Sequence, residues 1–161
     1  VSFNGARQRP IEASVRADVA KNVKKLKQFQ ITNSRWPNGD GEVANLGGGG
    51  NEIVRSRNSN YGDHPQAGVN NRFNTYFYNP DSSQGWPGSA NSLGMFLCAV
   101  TSTGKVYVAS TESQAVRDMT SRFVAEATAG TNTTPCLSAA AEYGVYVGGG
   151  NNIYPYVRVL D

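Results

Sequence analysis

A histidine base beside a nucleophile is the minimum for hydrolytic or acyl-transfer chemistry. The 161-residue chain has one histidine, His64, inside NYGDHPQAG. No nucleophile stands near it at a telling spacing, so it reads as a loop histidine. Metal chemistry has two candidate sets. The two cysteines, Cys98 and Cys136, form no CxxC pair and lie far in sequence from His64, which argues against zinc. Asn38, Asp40 and Glu42 alternate with Gly39 and Gly41, a spacing similar to part of a calcium loop. The later bidentate carboxylate is missing at the usual distance, although Glu52 can fold back. A solvated turn is the ordinary alternative. Neither GxxxxGKS nor GxGxxG occurs, so the runs at 47–50 and 148–150 are not phosphate cradles. Asn132-Thr133-Thr134 is a formal glycosylation sequon. No residue set supports an enzyme, and none implies a cofactor.

The cysteines are better explained as a disulfide. They lie 38 positions apart, and closing such a loop stabilises by about 4 kcal/mol on the chain-entropy account. That pairing implies an oxidising compartment. Hydrophobic residues make up 39% of the chain, below the usual 45–50%, so the core is modest and a cross-link matters. No run of 18 apolar residues exists to span a membrane. The chain begins Val1-Ser2-Phe3, which suggests a processed or truncated product.

The elements that carry these residues begin with residues 10–31. Wound at 100° per residue, Ile11, Val15, Val19, Val23, Leu26 and Phe29 fall in one arc about 120° wide. Pro10 suits a first helical position, and residues 1–9 can extend the helix backward with Gly5 weakening it. Opposite the aliphatic arc lies a strip of small side chains, Ala13, Ala17 and Ala20, flanked by basic residues. The bland alternative for those alanines is a solvated face, since Ala is the best helix former. Glu12 and Asn22 interrupt the apolar arc, which suggests that the first turns project beyond the body. Residues 7–27 carry seven basic and two acidic groups, while the rest of the chain nets −2. A basic arm on an acidic body fits an anionic surface or packing between copies.

Residues 36–51 read as turns and loop. A short strand is expected at 52–54, a surface loop at 55–71 and a strand at 72–79. Residues 93–101 are the most apolar run and read as a central strand, joined through a turn at 102–104 to an antiparallel strand at 105–110. Thr111 with Gln114 fits a capping box and predicts a second helix to about residue 128. A β-hairpin is expected over 143–160, with Pro155 near an edge. Tyr76, Phe77, Tyr78, Trp86, Tyr143, Tyr146, Tyr154 and Tyr156 either line the sheet or form an exposed patch. The outline is an α+β single domain over 1–161, with a helical stalk at 1–31 and a globular head at 32–161.

Residues 2–30, followed by Trp36-Pro37, resemble the exposed half of the long N-terminal helix of a type IV pilin. GMFLCAVTSTGKVYVAS, residues 94–110, resembles the strand-turn-strand of pilins of monoderm bacteria. The pair Cys98 and Cys136 is similar to the disulfide that closes the C-terminal region of many pilins. Residues 38–90 carry hardly any of the resemblance. It implies an apolar helical segment and a cleaved leader upstream of Val1, and a kink at Pro10 if the helix continues there. It also implies subunit packing through Ala13, Ala17, Ala20, Lys24 and Lys25.

The preferred expectation is therefore a structural subunit, major or minor, of an extracellular type IV pilus, supporting adhesion, surface attachment or twitching motility. Its partners would be copies of itself, related pilins, the assembly machinery and host or neighbouring-cell surfaces. DNA is not expected as the main partner, and the membrane would be met only through the upstream segment. The alternatives are a pseudopilin of a type II secretion system, or a secreted carbohydrate- or surface-binding module whose helix is a packing element.

Overall fold

The computed structural model describes residues 3–62, 73–78 and 94–120. Its largest element is α1, Phe3–Asn33. A seven-residue helix follows, α2, Gly39–Asn45, and then a 3₁₀ turn, Asn58–Asn60. The strands are β1, Phe73–Tyr78; β2, Gly94–Val100; β3, Val106–Ser110; and β4, Arg117–Asp118. They form one antiparallel sheet in the order β1-β2-β3-β4. The chain is α+β, a long N-terminal helix on a small antiparallel sheet.

The sheet takes its register from its most apolar run. Leu97 pairs with Ala109 and Ala99 with Tyr107. Met95, Leu97, Ala99, Tyr107 and Ala109 join Val15, Val19, Val23, Leu26 and Phe29 of α1 in one buried cluster. Alternate residues Cys98, Val106 and Val108 point to the other face and are equally inaccessible. The two central strands are thus buried on both faces. Their near-continuous apolar sequence has this cause. Cys98 is disulfide-bonded; the chain's other cysteine, Cys136, lies outside the described residues.

Several expectations are corrected. The backward extension expected over residues 1–9 is seen from Phe3, so Pro10 sits inside the helix and not at its first position. The amide that proline lacks would have bonded one turn back, where Ala6 and its neighbours up to Pro10 are exposed on every side. The first turns do project, as expected, but Asn22 is no reason for it, being fully buried. Residues 39–45 form α2 rather than a turn. Residues 52–54 form no strand; they lie along α1.

The helix expected to start at Thr111 does not start there. The Thr111 side chain accepts the Met95 amide at 2.9 Å, which draws it to the end of β2. Gln114 has φ 59, outside the helical region, and the chain then forms β4 against β3. Residues 121–128 and the hairpin at 143–160 lie outside the described residues, as do His64, Trp86, Asn132 and the tyrosines at 143, 146, 154 and 156. For Tyr76, Phe77 and Tyr78 the structure describes the backbone, in β1.

Leu26 is fully buried in the cluster that α1 shares with the sheet. Leu26→Ala should destabilise by about 2–5 kcal/mol through lost transfer energy and the cavity left behind. Urea unfolding followed by far-UV circular dichroism measures it; a change within the experimental error would mean that α1 is not seated on the sheet.

Candidate interaction surface along the first helix

What α1 can offer a partner depends on what its own body has already taken. The stripe Val15, Val19, Val23, Leu26 and Phe29 is buried, with Ile11 half-buried at its upstream end. Five of the six expected sheet-facing residues join the core cluster, and Ile11 is not part of it.

Polar side chains run down both edges of that stripe. On one edge Lys25 donates to the carbonyls of Gly50 at 3.3 Å and Glu52 at 2.8 Å. One turn upstream, the Asn22 amide donates to the Val54 carbonyl and accepts the Val54 amide, both at 2.8 Å. It pairs with the main chain as a neighbouring strand would. Asp18 accepts the Ser56 amide at 2.7 Å and the Tyr61 hydroxyl. Residues 50–61 thus descend α1 as a strap, tied at three successive levels. The strap then reaches the sheet: Tyr61 bridges Thr101, and the Gly62 amide bonds the Val100 carbonyl at 3.0 Å. A Cβ at Gly62 would stand 2.7 Å from the Thr101 carbonyl, so only glycine permits the approach.

On the other edge Thr103, at the β2–β3 turn, donates to Glu12 at 3.0 Å. Arg16 sits 5.8 Å from the Tyr107 ring centroid and donates to the Val116 carbonyl at 3.4 Å. Glu12 and Asn22 therefore interrupt the apolar arc in order to hold loops. The sequence signal was there, an unpaired polar residue inside an apolar arc, but it gives no clue to the partner.

The end of α1 is fastened separately. Ser34 takes a left-handed φ of 57 and its amide caps the Gln30 carbonyl at 2.8 Å. Arg35 stacks 5.3 Å from the Phe29 ring centroid while its guanidinium pairs with Glu42, and Lys27 lies 5.4 Å from the ring centroid of buried Trp36. Glu42 also accepts the Asn38 amide at 2.9 Å. The Arg35 hydrogen bond, then that amide, hold its carboxyl below the ordinary 4.5. These contacts involve two of the three residues of the calcium-like spacing, Asn38, Asp40 and Glu42. Glu42 is committed to Arg35 and to closing the start of α2, and the other two stand at the entry of a helix. Among the described residues no three groups are placed to hold a metal ion.

The side of α1 away from the sheet remains. Ala13, Ala17, Lys21 and Lys24 are exposed. Ala20 is half-buried, so it stands at the margin of this strip. Lys25, expected in the same role, is half-buried and bonded to the strap. Sequence reasoning missed Ile31, which is 62% exposed. At 100° per residue it projects in the same direction as Ala13 and close to Lys24, a placement that the same winding could have revealed. Among the described residues, no helix is long and apolar enough to cross a membrane.

Comparison with known proteins adds no neighbour: no family model, no curated protein and no solved structure matches this chain.

Two expectations follow from the strap. Asn22→Leu adds an aliphatic group to an apolar stripe, yet it should destabilise by about 1–3 kcal/mol for each Val54 group left unsatisfied. Urea midpoints would reveal it, with faster amide exchange at Val54 and Ser56. Burial, then the hydrogen bond to Asp18, raise the Tyr61 hydroxyl above its ordinary 10.0. Its contribution is therefore whole below about pH 10 and is lost as the pH rises further. Tyr61→Phe should flatten the alkaline limb of a melting-temperature profile; an unchanged limb would remove Tyr61 from that role.

Proposed function

We propose that this chain is the globular part of a filament subunit of the type IV pilin kind, extracellular in its working form. Copies of it pack through the outward strip of α1. The observation that carries this reading is the one-sided sealing of a 31-residue helix. Its aliphatic stripe and both polar edges are used within the molecule. The strip through Ala13, Ala17, Lys24 and Ile31 is exposed, and among the described residues nothing bonds to it. Small side chains let two helix backbones approach closely, and an exposed Ile gains by being covered.

The basic residues suit the same role. Lys21 and Lys24 border the strip, while the chain beyond residues 7–27 has an excess of acidic groups. A strip of this sign set against the body of the next copy brings opposite charges together, which favours register more than raw affinity.

The test uses cells that express the full-length protein. Ala17→Tyr should abolish surface filaments containing the chain, while the purified soluble variant keeps the parental melting temperature. Lys21→Glu with Lys24→Glu should reduce assembly in the same way. Electron microscopy of sheared surface fractions, with immunolabelling, gives the readout. Normal filaments from the Ala17→Tyr variant, or filaments without the chain in parental cells, would overturn the proposal.

A further inference from the structure

A cavity of about 250 Å³ opens between the last two turns of α1 and the loop that follows α2. Its floor is apolar, made by Phe29 and Leu46, both nearly inaccessible to solvent. Its rim is almost wholly amide and hydroxyl: Gln28, Thr32, Asn33 and Asn51. The run Gly47–Gly50 joins Leu46 to Asn51 and holds them on two sides of the cavity. All four glycines have positive φ, between 65 and 92, so the loop takes a path that other residues resist, and it brings no side chain to fill the space.

The hydrogen-bonding capacity left at the rim identifies the chemistry. Gln28 spends one amide hydrogen on Thr32, at 3.2 Å, and Asn33 spends one on the Phe29 carbonyl, at 2.9 Å. Each amide keeps a second hydrogen and its oxygen. The Asn51 side chain makes no hydrogen bond among the described residues. Both donors and acceptors therefore line the rim of an apolar floor. Hydroxyl groups need both at once, and a sugar ring adds a C–H face that seats on apolar carbon. A phosphate or carboxylate would need concentrated positive charge. The one cation here, Lys25, already spends two of its three hydrogens on the Gly50 and Glu52 carbonyls. The size agrees: drug-sized ligands fill about 300–1,000 Å³, and this cavity is below that range.

We infer that this cavity is a binding site for a single neutral sugar residue, with Phe29 and Leu46 under the ring and Gln28, Thr32, Asn33 and Asn51 around its hydroxyls. The inference is independent of the filament reading, since it rests on no residue of the outward strip. In a filament the site would repeat once per subunit, and many weak sites would act together on a glycan-coated surface.

The test is titration of the ¹⁵N-labelled full chain with methyl glycosides of glucose, galactose, mannose and N-acetylglucosamine. At least one should shift the amide signals of Gln28, Thr32, Asn33 and Asn51 saturably, with a Kd of about 1 mM, ordinary for a ligand of about a dozen non-hydrogen atoms. Gln28→Ala with Asn51→Ala, both exposed positions, should weaken binding about tenfold or more at an unchanged melting temperature. Three results would overturn the inference: no saturable shift with any glycoside, shifts that persist in the double variant, or saturation by inorganic phosphate or acetate in place of the sugars. Should the double variant melt early, Thr32→Val serves instead, with the same required loss.

Discussion

A buried polar group must find a partner or lose several hydrogen bonds to water, and α1 buries two of them. Asp18 and Asn22 lie in the helix side that is pressed toward the sheet. Neither can be left unsatisfied there without a cost comparable to a large part of a domain's stability. The segment that satisfies them is residues 54–61, which belongs to no strand and whose Val54 and Ser56 main-chain groups are paired by these side chains. Each side thus supplies what the other lacks. The strap's amides and carbonyls are paired by side chains of α1, and the α1 side chains are paired by the strap.

From this mutual need the remaining architecture follows. The strap fixes residues 50–52 near the downstream end of α1 and residues 60–62 beside the β2–β3 turn, where the Asn60 carbonyl accepts the Ser102 amide. The glycine run at 47–50 is the reversal that lets the chain leave α2 and turn back along α1. That reversal also leaves the cavity between Phe29 and Leu46 open. The other edge of α1 is held by contacts of lower weight: an exposed arginine over a ring, and a threonine on a glutamate. Together the two edges leave α1 a single free direction, which points away from the sheet.

The consequence for function is geometric. An amphipathic helix on a sheet normally shows solvent a uniformly polar face. Here the outward face is narrow, small-sided and flanked by lysines, with Ile31 exposed near its end. A surface of this kind suits close repetition of identical units, and it leaves the downstream cavity on a different side of the helix. On the proposed reading, assembly and ligand contact would use separate surfaces of one helix.

Much of this was legible before any coordinates. The 3.6-residue spacing of Val15, Val19, Val23, Leu26 and Phe29 determined the helix and its buried side, because periodicity reports directly which side chains share a face. The apolar run at 93–101, the turn and the return at 105–110 likewise determined a central antiparallel hairpin, because local turn chemistry is a nearest-neighbour property. What tertiary structure alone decided were the long-range partners. Asn22 finds Val54, Asp18 finds Ser56 and Tyr61, Lys25 finds Gly50 and Glu52, and Glu42 finds the Arg35 guanidinium. Thr111 reads locally as a helix cap, yet the Met95 amide claims its hydroxyl and the chain becomes β4. Local propensity amounts to a fraction of a kcal/mol per residue, and a satisfied buried hydrogen bond outweighs it. Such pairings depend on which groups the fold brings together, and spacing along the chain carries no record of them.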